Sequence, residues 1–206
     1  MTQSSPILQA SGLSCIRDDR VLFSELTFTL NVGQVLLLEG KNGSGKTSLL
    51  RILCGFREPD AGQICWCGEC ISDSQYYADM AYIGHLDGIK KELTVFENLS
   101  VALALGRPGQ YPLSDALVRV QLSGYEDVLV QALSAGQKRR LSLARLLVTQ
   151  NRLWILDEPF TSLDKQGIKL TEILMTEHTA SGGLIVLTSH HDLNLPAVDV
   201  QRIHLS

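Results

Sequence analysis

Apolar positions along this chain fall into two kinds of pattern. Over residues 21–38, Leu26, Phe28 and Leu30 alternate with polar neighbours, and Val35-Leu36-Leu37-Leu38 then runs without a polar break. Alternation suits a strand with one face on a core, whereas a short unbroken run ended by glycine suits a strand buried on both faces. Residues 21–38 are therefore expected to be strands. Leu153-Trp154-Ile155-Leu156 and Leu184-Ile185-Val186-Leu187 repeat the second pattern, and each ends in polar residues. Helical spacing appears after Thr47, where Leu49, Leu50, Ile52 and Leu53 face a core and Gly55 supplies the stop. Pro59-Asp60-Ala61-Gly62 predicts a turn, and residues 64–71 predict a hairpin about Gly68-Glu69. From about residue 87 to 150 the pattern is mainly helical, broken at 106–112 and at Gly124. Strands that alternate with helices and carry polar residues at their ends indicate an α/β domain with a largely parallel sheet.

Composition narrows the picture. At 206 residues and 45% hydrophobic content, the chain is one large domain or a domain with an embedded subdomain. A net charge of −4 advertises no nucleic-acid partner. The one tight basic run, Lys138-Arg139-Arg140, reads as a solvated helix face. No window approaches the roughly 18 apolar residues of a spanning helix. The N-terminal MTQSSPILQASG lacks a signal-peptide pattern, and five cysteines is an odd count. A cytosolic chain with reduced thiols is expected. Cys65, Cys67 and Cys70 offer three thiols where structural zinc takes four ligands. The hairpin strand is expected to put Cys65 and Cys67 on one face, as small hydrophobes rather than metal ligands.

The chemistry begins at the first glycine loop. Gly40-Lys41-Asn42-Gly43-Ser44-Gly45-Lys46-Thr47, followed by Ser48, matches G-x-x-x-x-G-K-[ST] between an expected strand and an expected helix. Glycines let backbone N–H groups turn inward around phosphate oxygens at a helix N-terminus. Lys46 adds a point charge for the β- and γ-phosphates, and the Thr47 hydroxyl can ligate Mg²⁺. After the second apolar run come Asp157 and Glu158. In a P-loop site the first carboxylate at such a strand end holds Mg²⁺, and its neighbour can polarise an attacking water. His190 ends the third run, where an imidazole can contact a γ-phosphate and sense its loss. His178, His191 and His204 read as structural or surface residues.

Leu133-Ser134-Ala135-Gly136-Gln137 adds a second anion-binding end. Ser134 is expected to cap a helix starting near Gly136, whose N–H groups and dipole face a negative group. This segment resembles the LSGGQ signature of the ATP-binding cassette (ABC) ATPases, with Ala135 at the third position. Ser162-Leu163-Asp164 resembles the family's D-loop, Asp157 its Walker B aspartate, Glu158 its catalytic base and His190 its switch histidine. The resemblance implies a single P-loop ABC domain over residues 1–206. It would have a mostly parallel core sheet, an antiparallel β part and a helical subdomain of about residues 87–150 that docks on membrane helices. It also implies ATP and Mg²⁺ as ligands. A second cassette would close each site, its Ser134, Gly136 and Gln137 gripping the nucleotide from the other side. The chain departs from the family at His85, which stands at the Q-loop position, and at Arg17, which stands where an aromatic usually stacks on adenine. A guanidinium plane can stack there too.

Within the family, the chain resembles the ATP-binding subunits of haem exporters in bacterial cytochrome c maturation. Arg17-Asp18-Asp19-Arg20 with Leu22-Phe23, Gly84-His85 with Gly88 and Glu92-Leu93-Thr94, the LSAGQ-x-R-R segment, and residues 153–161 carry that likeness. So does the shortness of the chain after His190. The resemblance implies integral membrane partners CcmB and CcmC with the small CcmD, at the cytoplasmic face of the bacterial inner membrane. It implies ATP turnover that drives haem translocation or release of a haem-loaded chaperone, with no haem site on this chain. Another ABC transporter remains an alternative. A soluble ABC ATPase acting on nucleic acid or ribosomes usually carries two cassettes or coiled-coil insertions, absent here, and the LSAGQ segment argues against a P-loop kinase.

Overall fold

The computed structural model describes residues 7–71 and 74–206, and these described residues form nine strands and six α-helices. The segment before residue 7, part of the leader reading above, lies outside the described residues. In order these are β1 (Leu8–Arg17), β2 (Arg20–Leu30), β3 (Gln34–Gly40), α1 (Lys46–Leu53), β4 (Ala61–Trp66), β5 (Glu69–Cys70), α2 (Ser74–Asp79), β6 (Met80–Ile83), α3 (Val95–Leu105) and α4 (Leu113–Arg119). Then follow α5 (Ala135–Val148), β7 (Leu153–Asp157), α6 (Lys165–Ala180), β8 (Leu184–Thr188) and β9 (Asp199–Leu205).

The unbroken apolar runs become neighbours in a parallel sheet of order β6-β7-β8-β3-β9. Their side chains alternate between two cores, as the two-residue period of a strand requires. Val35, Leu37, Trp154, Leu156, Ile185 and Leu187 face a cluster shared with α3, α4, α5 and α6. Leu36, Leu38, Leu153, Ile155, Leu184 and Val186 face a second cluster shared with α1 and the antiparallel sheet β2-β1-β4-β5. This double burial is why those runs lack polar breaks.

Several local readings need correction. The predicted turn at 59–62 ends earlier, since β4 starts at Ala61. The hairpin turns at Cys67-Gly68, one residue before the expected Gly68-Glu69, because its two-residue loop needs φ > 0 twice: Cys67 has φ 53° and Gly68 89°. Cys67 is thereby exposed at the turn and does not share a face with Cys65. Cys65 instead faces Cys70 across the ladder, with sulfurs 3.9 Å apart. The basic run is no uniformly solvated face either, since Arg139 is 3% exposed. Among the described residues no helix is long and apolar enough to cross a membrane.

Candidate active site

The glycine loop joins β3 to α1 over the carboxyl end of the sheet. Gly40 leaves β3 with φ 140°, and a Cβ there would sit 2.2 Å from the Leu205 carbonyl oxygen. Gly45 starts α1 in the left-handed region at φ 102°, with Leu22 and Phe23 packed so closely that a Cβ would lie 3.1 Å from Leu22. Gly40 needs glycine for space as well as conformation, and Gly45 needs it for its left-handed conformation, with little room to spare. Inside the loop the Ser44 N–H donates to Lys41 O, and the Lys46 ammonium donates to Gly40 O at 2.6 Å and Lys41 O at 3.1 Å.

Strand ends deliver the acidic groups. β7 ends in Asp157, whose Oδ2 accepts from the Thr47 hydroxyl at 3.2 Å and whose Oδ1 accepts from the Thr188 hydroxyl at 2.7 Å. The Thr188 hydroxyl also accepts the Glu158 N–H at 2.9 Å, so one fully buried threonine at the end of β8 ties both carboxylate residues together. Glu158 has φ 50°, a left-handed backbone that a non-glycine residue holds only when its surroundings over-determine it. Its Oε2 accepts from the His190 backbone N–H at 3.2 Å, and its Oε1 lies 3.6 Å from His190 Nε2. Asp157 also contributes to the electrostatics of its neighbours. Burial pushes both the Tyr82 phenol and the Cys54 thiol up to about 12, and the nearby Asp157 charge adds to each.

These groups line one cavity of about 640 Å³: Asn42, Gly43, Gly45, Lys46, Thr47 and Ser48 from the loop and the start of α1, Asp157 at the end of β7 with Glu158 just after it, and Arg17, His85 and His190 around the rim. Gly40, Lys41 and Ser44 lie in the same loop without lining it. Arg17 is exposed and pairs with Asp18 at 3.5 Å. The hydroxyl of Thr47 and the carboxylate of Asp157 converge as hard oxygen donors, the kind a Mg²⁺ ion takes.

Ser134, Gly136 and Gln137 are not brought to this cavity. Ser134 caps α5 in a capping box, accepting the Gln137 N–H at 3.2 Å while Gln137 Oε1 accepts the Ser134 N–H at 2.9 Å. A Cβ on Gly136 would lie 2.9 Å from Ser162 O, so this helix end packs against the Ser162 loop and faces outward.

Motif reading missed two residues that hold the site. Thr188 carries no motif of its own beyond its place at a strand end. Arg139 was hidden in the basic run, where sequence gives no sign that its partners are backbone carbonyls.

A parallel sheet with a glycine loop at its carboxyl end, paired acidic residues at the end of a strand two places away and a capped signature helix define an ATP-binding cassette ATPase. Residues 23–161 match the family described as ABC transporter, and the chain belongs to it. Two relatives are each called cytochrome c biogenesis ATP-binding export protein CcmA. The protein of Photobacterium profundum is 44% identical and aligns over 97% of this chain and 99% of its own length. That of Methylococcus capsulatus is 50% identical over 97% and 98%. Among solved structures, an ATP-binding subunit of an ABC transporter superposes with a TM-score of 0.82 at 27% identity, covering 89% of this chain and 79% of that one. A nucleotide-free ATP-binding cassette gives 0.79 at 22% identity over 97% and 88%, a likeness of fold.

Proposed function

We propose that this chain is the ATP-hydrolysing subunit of an export complex serving c-type cytochrome biogenesis. The observation that carries the reading is the convergence of Lys46, Thr47, Asp157, Glu158 and His190 on one cavity, with the capped Ser134 end outside it. The relatives' shared name supplies the pathway.

In this reading the loop N–H groups, the α1 dipole and Lys46 bind the phosphates of ATP. Thr47 and Asp157 would hold Mg²⁺, which when bound neutralises charge on the phosphates. Glu158 orients the attacking water and takes its proton. Its Oε2 is held by the His190 N–H, which leaves Oε1 for that proton. His190 Nε2, near Oε1, links the imidazole to the state of the carboxylate and to the γ-phosphate. Arg17 offers its guanidinium face to the adenine, and His85 reaches the rim at the Q-loop position. Ser134, Gly136 and Gln137 of a second copy close the cavity from the other side, so the working unit is a pair of cassettes. Residues 87–150 form the helical subdomain that meets the membrane subunits, which the resemblance names as CcmB, CcmC and CcmD. The chain then sits at the cytoplasmic face of the inner membrane as a peripheral protein.

Substituting Glu158→Gln tests the reading directly. ATP stays bound while turnover falls by about three orders of magnitude, the scale of losing a positioned base. Wild-type turnover in that variant removes Glu158 as the base. In the source cell, deletion of the chain abolishes maturation of c-type cytochromes; normal maturation would count against the export assignment.

A further inference from the structure

We propose that Arg139 is a positioning residue for hydrolysis: it locks Glu158 in its left-handed backbone and ties it to the segment that carries His85. The inference rests on the hydrolytic reading of Glu158 above.

A guanidinium has five N–H donors in a rigid planar fork. Arg139 uses all of them. Its Nε donates to Pro159 O at 3.1 Å, and one terminal nitrogen donates to Asp157 O at 2.9 Å and Glu158 O at 2.7 Å. The other terminal nitrogen donates to Gly84 O at 3.0 Å and to Asp87 Oδ1 at 3.2 Å. Three consecutive carbonyls at the end of β7 thus converge on one side chain from the first turns of α5. A buried charge is tolerated only with such complete pairing. An apolar residue of similar size would pack there, but it would strip the carbonyls of their donor.

The backbone that this fork grips is strained. Glu158 at φ 50° keeps its N–H on Thr188 and its C=O on Arg139 and the Thr161 N–H. Loss of the guanidinium frees the peptide plane after Glu158 to swing toward extended backbone, which carries the carboxylate away from the cavity. The same fork holds Gly84 and Asp87 on either side of His85, and Arg145, further along α5, donates to Asp87 O and Gly88 O. Neighbouring basic residues do other work: Arg140 pairs with Asp164 and donates to Gln121. Arg139 therefore stands where the signature helix, the strand end bearing the base and the rim segment meet.

The test is steady-state ATPase kinetics of the full chain, with Arg139→Gln, Arg139→Lys, Asp87→Asn and Glu158→Gln beside the wild type. In Arg139→Gln, kcat falls about a hundredfold, as a misplacement of ~1 Å at a reacting group does. The KM for ATP stays within about threefold, because the glycine loop is untouched. Arg139→Lys recovers part of the loss, since an ammonium has three donors for five acceptors. Asp87→Asn gives a smaller kcat loss of the same kind. A kcat within about twofold of wild type in folded Arg139→Gln, or kcat and KM worsening together, overturns the proposal. If Arg139→Gln does not fold, Arg139→Lys and Asp87→Asn decide by the same criterion. Turnover retained in Glu158→Gln sinks the hydrolytic reading itself, whereas normal kcat in Arg139→Gln beside a dead Glu158→Gln sinks only the positioning role.

Discussion

His178 shows how a single buried group sets pH dependence far from the chemistry. Its ring stacks on Trp154, centroids 3.8 Å apart and 8° from parallel, and a Cβ on Gly183 would lie 2.2 Å from its Nε2. Burial pushes the imidazole down from 6.5 to about 4, against a smaller raising effect from the Leu184 and Arg152 backbone. Because the folded value is depressed, the contribution to stability is full above pH 6.5. It is lost as pH falls toward 4, where the unfolded chain takes up the proton first. A difference of this size is worth roughly 3 kcal/mol. Urea midpoints of wild type at pH 7.5 and 4.5 should therefore differ more than those of His178→Phe, which keeps the stack without titrating; an equal difference in the two proteins would show that His178 is not the group. At this scale sequence was legible wherever chemistry dictates spacing. The strand-to-helix loop at 40–47, Asp157-Glu158 at a strand end and Ser134 as a helix cap were legible from residue types. Arg139 and Thr188 were not, because their partners are main-chain atoms or side chains brought close only by the sheet.

Helices and strands were legible in proportion to how completely they are buried. The runs at 35–38, 153–156 and 184–187 lie between two cores and announce themselves. β1 was missed: its pairing with β2 shifts register between Ala10 and Leu13 and again before Cys15, so its alternation is broken. β9 lies at the sheet edge and reads as DVQRIHL, mostly polar and partly exposed. The four-residue β6 has one fully buried side chain, too short a signal to separate from a loop. The start of α3 depends on a residue that periodicity ignores. Asn98, 5% exposed, accepts the Lys90 N–H at 2.8 Å and donates to Lys90 O and Thr94 O at 2.9 Å. It pins residues 90–94 to the helix, beside the capping box that Thr94 makes with Glu97. Asn98→Ala leaves part-buried backbone groups of Lys90 and Thr94 without their partner, and about 1 kcal/mol of stability should go with them. A chemical-denaturation midpoint unchanged within error would show that water replaces the side chain without cost.

For the molecule as a whole, the telling fact is which groups fail to meet. One chain brings the glycine loop, Asp157, Glu158 and His190 to a common cavity, yet its own Ser134 end faces outward beside the Ser162 loop. In the proposed function this helix N-terminus, with its aligned dipole, would meet an anion that its own chain does not supply. On the proposed reading a symmetric pairing of two chains would supply both halves at once, with a two-fold axis setting each loop opposite the other's helix end. This arrangement predicts complementation. Lys46→Ala removes the loop's charge, and Ser134→Arg blocks the helix end, so each variant alone should be inactive. In a mixed pair, one site carries both lesions and the other carries neither. Equal mixing should then restore roughly a quarter of wild-type turnover, because about half the pairs are mixed and each keeps one of two sites. A self-sufficient cavity predicts something else: Ser134→Arg alone would retain turnover, and mixing would only average the two variants. Turnover of the mixture, followed against the ratio of the two chains, separates these cases without any membrane partner present. A maximum near equal proportions requires two chains at every working site.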